Sequence, residues 1–187
     1  MKNPLTRKIL FLKVINQDPE AYGQFYDLYV TRIYRFVFFK INSVAETQDI
    51  TSEVFLKLWQ YIREGKKIQN LNAYVYMIAR NSVIDFYRQK SRQTEPIADE
   101  HYNIPDEQKD ALKQQITDND LSDTLKGLEN LKDEYKEVII LKYLDELSIS
   151  EIAEVLGKSS GAVRVTLHRA MKALKENISA QGGNDPV

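Results

Sequence analysis

No cysteine occurs in this 187-residue sequence, and His101 and His168 are its only histidines. The chain can therefore form neither a disulfide framework nor a metal site of cysteine and histidine, and we predict no metal and no cofactor. Long apolar runs are also missing, since none approaches the roughly 18 residues that span a membrane. The apolar patch near the N-terminus lacks the small-residue cleavage site of a secretory signal. We therefore predict a cytoplasmic protein without stable membrane insertion.

The sequence also lacks motifs that are typical of catalytic sites. The sequence has no phosphate-binding glycine loop, no metal-ligand cluster and no recognisable pairing of a nucleophile with a base, so we do not predict an enzyme. Few stretches alternate apolar and polar residues with the period of two that is typical of strands, whereas helix signals recur. This pattern predicts an all-α fold. The hydrophobic fraction of 43% is ordinary for a folded chain.

Charge is nearly balanced overall, with a formal net charge of −1, but it is unevenly distributed. Residues 93–118 contain seven acids against two lysines and few large apolar side chains before Leu112. Such a composition buries too little surface to offset the entropy of ordering, which predicts a flexible acidic linker. The linker separates two predicted small helical domains, at 1–92 and 119–178, and a disordered tail is predicted at 179–187.

The stretch SISEIAEVLGKSSGAVRVTLHRA, near the C-terminal end, has the pattern of two short helices joined by a glycine turn. Ser148 and Glu151 fit a capping box at the start of the first helix, and Gly157 supplies the positive φ that the turn needs. Ser159 or Ser160 can cap the second helix and leave backbone N–H groups facing a phosphate. The spacing predicts a helix-turn-helix, whose second helix can enter a major groove.

The second helix of this motif is basic, because residues 157–175 include five cations and no acid. Side chains beside its buried stripe can reach base edges and phosphates of duplex DNA. The predicted contacts are Lys158, Ser159, Ser160, Arg164, Val165, His168, Arg169 and Lys172. The alternative is that these cations only complement the dipole of the helix.

A second basic segment, residues 71–92, has four cations against one acid and interleaved aromatic residues. Aromatic rings beside cations suit single-stranded nucleic acid, because bases stack on the rings while the cations neutralise the backbone. The glycine-containing basic loop before it, residues 63–70, can form one wall of a pocket. The alternative for the aromatic residues is burial in a core.

A helix is also predicted after Ser43 and Glu46, which fit a second capping box. Apolar residues four apart provide its core stripe: Ile50, Val54, Leu58 and Ile62. Other faces carry side chains that can receive a partner: Asp49, Ser52, Glu53 and Leu56. The alternative for those faces is a solvated helix back.

The sequence resembles the bacterial RNA polymerase sigma factors, specifically the small extracytoplasmic-function subgroup. Three stretches carry the resemblance in order: DITSEVFLKLW, LNAYVYMIARNSVIDFYR and LKDEYKEVIILKYLDELSISEIAEVLGKSSGAVRVTLHRAMKAL. The resemblance implies that the first domain is region 2, which binds core RNA polymerase and the −10 promoter element. It implies that the second is region 4, whose helix-turn-helix reads the −35 element. An anti-sigma factor is a further implied partner.

By position, the resemblance also implies site residues. Polymerase contacts would be Asp49, Ser52, Glu53 and Leu56, with Trp59 as support. Contacts to the −10 element and the melted non-template strand would be Lys66, Lys67, Asn70, Asn72, Tyr74, Tyr76, Arg80, Asn81 and Arg88. The sequence departs from the family at Ser52, where glutamine is common, and at Met77, where arginine is frequent.

Two other functions remain open from the sequence alone. One is an autonomous helix-turn-helix regulator that binds duplex DNA without polymerase, which leaves segments 46–62 and 71–92 unexplained. The other is a protein-interaction module, such as a decoy for an anti-sigma factor, which requires no promoter binding at all.

Overall fold

A computed structural model describes residues 4–93, 128 and 131–181 of the chain. The chain divides into two compact units, Met1–Tyr102 and Asn103–Val187. Most described residues lie in helices, and no strand occurs among them, so the predicted all-α class is confirmed.

Three parts of the predicted domain organisation lie wholly or partly outside the described residues. The predicted linker beyond residue 93 and the start of the second predicted domain, at 119–127, lie outside the described residues, as do 182–187 of the predicted tail. The last helix extends to Gln181, so residues 179–181 are helical where we predicted disorder. The reason is that neither glycine nor proline occurs between Gly161 and Gly182, so no helix breaker ends the helix earlier.

Four helices form the described part of the first unit: α1 (Pro4–Ile15), α2 (Pro19–Ile41), α3 (Val44–Arg63) and α4 (Leu71–Gln93). Helix α2 packs against each of the other three, and α3 also packs against α4. The apolar pattern of α2 accounts for this central position, because it buries a residue at every fourth place: Ala21, Phe25, Tyr29, Ile33 and Val37.

The connection between α2 and α3 is only two residues long. Asn42 ends α2 with a φ of 57°, and its N–H donates to the Phe38 carbonyl. Ser43 is the N-cap of α3, as predicted, but its side chain makes no cap hydrogen bond, so the capping box with Glu46 does not form. The Thr47 N–H donates to the Ser43 carbonyl at 3.0 Å, which is the first backbone hydrogen bond of α3.

The described part of the second unit contains α5 (Asp133–Ile139), a π-helical continuation (Ile140–Leu144), α6 (Ile149–Leu156) and α7 (Ser160–Gln181). Helix α7 packs against both α5 and α6. Val138, Ile152 and Val163 contribute one fully buried side chain from each of the three α-helices. Among the described helices of both units, none is long and apolar enough to cross a membrane.

Candidate polymerase and nucleic-acid surfaces

The outer face of α3 carries the predicted polymerase contacts. The apolar stripe that we predicted for this helix is buried: Ile50, Val54, Leu58 and Ile62. The four predicted contacts all lie exposed on the opposite side: Asp49, Ser52, Glu53 and Leu56. They are three and four residues apart and therefore share one helical face, which we call the α3 outer face. Leu56 is 57% exposed, so this face combines an apolar side chain with two carboxylates.

Aromatic packing holds α3 against α2 behind this face. The half-buried Trp59 has its ring centroid 4.6 Å from that of Tyr22 on α2. The Tyr22 hydroxyl donates to the Phe55 carbonyl at 2.5 Å, and burial raises the Tyr22 pKa well above its usual range. The contact of Trp59 with Tyr22 therefore helps to fix α3 against α2.

An open cleft of about 320 Å³ lies between the C-terminal half of α3, the loop at 64–70 and α4. This volume is at the lower end of the range for small-ligand pockets. The lining side chains are Lys57, Gln60, Tyr61, Glu64, Lys66, Tyr74, Ile78, Asn81 and Ser82. We refer to it below as the cleft. It contains three of the predicted −10 contacts, namely Lys66, Tyr74 and Asn81.

Two tyrosines and a lysine make the cleft both aromatic and cationic. The rings of Tyr61 and Tyr74 are tilted, with centroids 4.8 Å apart, and the Lys66 ammonium lies 4.6 Å from the Tyr61 centroid. Lys66 also pairs with Glu64 at 2.5 Å, which raises the lysine pKa. Burial, with a hydrogen bond to Tyr61, raises the pKa of Tyr74, so its hydroxyl stays protonated at neutral pH.

The other predicted −10 contacts are not among the residues that line the cleft. Lys67 is exposed on the loop, Arg88 is exposed farther along α4, and Arg80 is half-buried. Asn70 has a structural role, because its side-chain oxygen accepts a bond from the Ala73 N–H at 3.2 Å, as the N-cap of α4 does.

Asn72 and Tyr76 require a correction, because both are buried in the first unit. Asn72 is 3% exposed, and its Oδ1 accepts a hydrogen bond from the Tyr29 hydroxyl at 2.8 Å. Tyr76 is fully buried, with its ring edge-on to Phe36 at 5.6 Å between centroids. Both face α2, so in this structure they support α4 rather than lie open to separated bases. The alternative that we gave for the aromatic residues, burial in a core, is correct for Tyr76.

Sequence reasoning missed the α3 side of the cleft. Four lining residues come from α3 and the first loop position: Lys57, Gln60, Tyr61 and Glu64. Their spacing of three and four residues was a readable signal, because it places a polar and aromatic stripe on one face of the helix. From the sequence we predict only the apolar stripe of α3 and the outer face that carries Asp49, Ser52, Glu53 and Leu56.

The helix-turn-helix of the second unit forms as predicted. Ser148 and Glu151 make the full capping box at the start of α6. Gly157 ends α6 with a φ of 62°, and the Lys158 N–H reaches back to the Ala153 carbonyl at 3.0 Å. Of the two candidate caps for α7, Ser159 provides the bond, since its Oγ accepts from the Ala162 N–H at 3.1 Å.

The predicted duplex contacts lie on the accessible side of α7 and the turn. Lys158, Ser159, Arg164, Val165, His168, Arg169 and Lys172 are exposed, and Ser160 is partly exposed. Val163, Ala170 and Leu174 form the buried stripe beneath them. Among the described residues of the second unit, none of these exposed side chains is part of the core.

One of these cations is tied to α5. The Lys158 ammonium forms an ion pair with Glu134. The hydrogen bond from Lys158 lowers the pKa of the Glu134 carboxyl, and the charge of Arg169 acts in the same direction. Lys172 makes a longer pair with Glu176, at 3.9 Å, within α7.

Comparisons with known proteins match both units. The family model described as Sigma-70 region 2 matches residues 25–93, and the one described as Sigma-70, region 4 matches residues 124–174. The chain is 30% identical to the ECF RNA polymerase sigma factor SigW of Bacillus subtilis, over 86% of this chain and 90% of SigW. It is 26% identical to the ECF RNA polymerase sigma factor BldN of Streptomyces coelicolor, where it spans only 60% of that longer relative.

Solved structures of similar fold include CnrH in complex with the cytosolic domain of CnrY, with a TM-score of 0.65 and 20% identity, covering 92% of this chain and 96% of that one. They also include the sigma factor RpoE in complex with the anti-sigma factor NepR from Bartonella quintana. This match has a TM-score of 0.64 and 20% identity, and it covers 86% of this chain and 98% of that one. At this level of identity, the likeness establishes the fold.

Proposed function

Because the chain belongs to the extracytoplasmic-function sigma factors of bacterial RNA polymerase, we propose that its two units divide promoter recognition between them. As a sigma factor, it brings core polymerase to promoters and starts transcription there. The first unit binds polymerase and the −10 element, and the second binds the −35 element. The observation that carries this division is a difference in surfaces, since the first unit has an aromatic, cationic cleft and the second an exposed basic helix.

The cleft holds a base that is flipped out of the melted −10 element. Flipping costs a few kcal/mol, and stacking of the flipped base on an aromatic ring stabilises it by about 1 to 3 kcal/mol. Stacking on Tyr61 and Tyr74 therefore offsets part of the cost, and polar contacts must supply the remainder. The Asn81 amide offers a donor and an acceptor to a base edge, while Lys66 and Lys67 neutralise the strand.

Helix α7 lies in the major groove of the −35 element. Arg164, Val165, His168 and Arg169 lie along its first three turns and read base edges and the thymine methyl group. Lys172 and the capped N-terminal turn contact phosphates, which set the position of the helix without sequence preference.

The α3 outer face binds core polymerase. Its exposed Leu56 provides apolar contact area, and Asp49 and Glu53 favour a partner surface that carries cations. Polymerase performs nucleotide addition, so this chain itself is not an enzyme and needs no cofactor. It acts in the cytoplasm, where polymerase and the chromosome meet.

An anti-sigma factor is the regulatory partner that we propose. The related folds of CnrH and RpoE were solved in complex with the cytosolic domain of CnrY and with the anti-sigma factor NepR, respectively. A similar antagonist would inhibit this chain by covering the α3 outer face or the basic face of α7.

Run-off transcription with purified core polymerase on genomic fragments tests the proposal. We expect discrete transcripts when both the chain and the polymerase are present, and retention of the chain on immobilised polymerase. If the pure chain binds duplex operators tightly but is not retained by polymerase, the autonomous regulator is the correct function. A decoy for an anti-sigma factor would give neither transcripts nor promoter binding.

A further inference from the structure

Lys57 connects two surfaces that the proposed function keeps separate. Its ammonium is 2.9 Å from a carboxylate oxygen of Glu53, on the α3 outer face, and 3.2 Å from the hydroxyl of Ser82 on α4. Lys57 and Ser82 both line the cleft. A single side chain therefore contacts both the proposed polymerase surface and the proposed −10 site.

The two contacts differ in how firmly they hold the lysine. Ser82 is only 4% exposed, so its hydroxyl is fixed in the wall of the cleft and positions the ammonium there. Glu53 and Lys57 are both about half exposed and four residues apart on one helix, and such pairs contribute little and exchange readily. The carboxylate is thus the partner that can be replaced.

The ammonium also has unused bonding capacity. A lysine has three donor protons, and among the described residues the contacts to Glu53 and Ser82 use two of them. The other lysine of the cleft, Lys66, is paired with Glu64 at 2.5 Å. Lys57 differs from Lys66 because a buried partner, Ser82, holds its ammonium in the wall of the cleft, where it can bind an additional anionic oxygen, and a compact ammonium suits a phosphate.

We propose that Lys57 binds a backbone phosphate of the strand whose base occupies the cleft, and that Glu53 competes for this ammonium in the free chain. The inference rests on the proposed function of the cleft. When polymerase engages Glu53, the competing carboxylate is withdrawn and Lys57 becomes fully available to the strand. Polymerase binding and strand binding would then be coupled through this one side chain.

Binding of the full-length chain to a fluorescein-labelled, mixed-sequence single-stranded 12-mer tests the proposal, measured by anisotropy over a salt series. We expect Lys57→Gln to weaken binding several-fold and to flatten the plot of log affinity against log salt by about 0.7, the slope of one lost phosphate contact on a single strand. Lys13→Gln, an equal charge change at an exposed position of α1, should leave the slope unchanged.

Glu53→Gln provides the second half of a double-mutant cycle. It should tighten binding of the strand to the free chain about twofold, the scale of a half-exposed i,i+4 ion pair. The gain should vanish when Lys57→Gln is also present, which distinguishes competition for this lysine from a general loss of negative charge. An equal gain in both backgrounds overturns the competition.

Asn81→Ala separates the failure of this inference from failure of the proposed function. If Asn81→Ala weakens binding while Lys57→Gln behaves like Lys13→Gln, the cleft binds the strand and the role of Lys57 is wrong. If neither Asn81→Ala nor Lys57→Gln alters binding, the proposed function of the cleft is wrong as well, and the inference falls with it. The melting temperature of each variant checks its fold.

Discussion

The two units build their nucleic-acid surfaces in different ways. In the second unit, the proposed contacts lie on the accessible side of one helix and its preceding turn, and none belongs to the core. In the first unit, the cleft lies between α3, a loop and α4, and the segment that lines it also supplies buried residues such as Asn72 and Tyr76.

The difference follows from the two ligands. A duplex presents its base edges in an open groove, so a single exposed helix face is sufficient to read them. A base that has left the stack needs surfaces on several sides of it, so its site must be assembled from several elements. The residues of such a site share helices with the core, and substitutions there affect folding and binding together.

The largest effect should come from Tyr76→Ala. Removal of this fully buried ring should destabilise the first unit by about 3 to 5 kcal/mol, the range for large aromatic truncations in cores. Urea unfolding followed by Trp59 fluorescence measures this directly, because Trp59 is the single tryptophan and lies in the first unit. Tyr76→Phe, which keeps the ring, is the matched control and should cost far less. A loss below about 1 kcal/mol for Tyr76→Ala would mean that Tyr76 is not a core residue.

In the second unit, a substitution on the exposed face of α7 should instead weaken DNA binding and leave the stability of the fold nearly unchanged. Arg164→Ala should cost about 1 to 3 kcal/mol of binding at the −35 element, while changing stability by less than about 0.5 kcal/mol. The measurement is the affinity of holoenzyme for promoters that differ only at −35. Lys175→Ala, near the C-terminal end of α7, is the control for charge. If Arg164→Ala leaves discrimination among those promoters unchanged, α7 is not the reader.

Substitutions on the α3 outer face should also weaken binding without destabilising the fold, although this face belongs to the first unit. Asp49→Ala together with Glu53→Ala should weaken the affinity for core polymerase by roughly 1 kcal/mol or more, because both carboxylates are exposed and off the core stripe. Titration of labelled chain with polymerase gives the affinity, and the melting temperature should stay nearly constant. Unchanged affinity would remove this face from the polymerase interface.

Local signals made the second unit predictable from sequence. The capping box of Ser148 and Glu151, the positive φ of Gly157 and the cap at Ser159 all depend on residues a few positions apart. The fold class and the buried stripe of α3 were predictable for the same reason, since periodicity is local.

The first unit was less predictable because its site depends on distant residues. The burial of Tyr76 depends on Phe36, and that of Asn72 on Tyr29, which lie 40 and 43 positions away in the sequence. Helical spacing within α4 places residues on faces, but it does not say which face meets α2. The capping box at Ser43 was a local error: its residue types fit the motif, but the Ser43 side chain makes no cap hydrogen bond.

The smallest effect should come from the ion pair of Lys158 with Glu134. Glu134→Gln should destabilise the second unit by less than about 0.5 kcal/mol at neutral pH, since the pair is exposed. The hydrogen bond from Lys158 lowers the folded-state pKa of this carboxyl, so its contribution is present above its ordinary value of 4.5 and is lost as pH falls through the lowered pKa. Unfolding by circular dichroism should show the two proteins converging in acid. A difference that persists or grows in acid would contradict this assignment.

Open-complex formation on two templates tests the division between the units most directly. One template is a fully paired promoter, and the other is already melted across the −10 region, so that unpairing costs nothing. In holoenzyme, Asn81→Ala should lower open-complex formation more on the paired template than on the melted one, where the unpairing cost is already removed, whereas Arg164→Ala should lower the affinity for both templates alike. Equal losses of the Asn81 variant on both templates, or rescue of the Arg164 variant by melting, would contradict the assignment of strand separation to the cleft and duplex reading to α7.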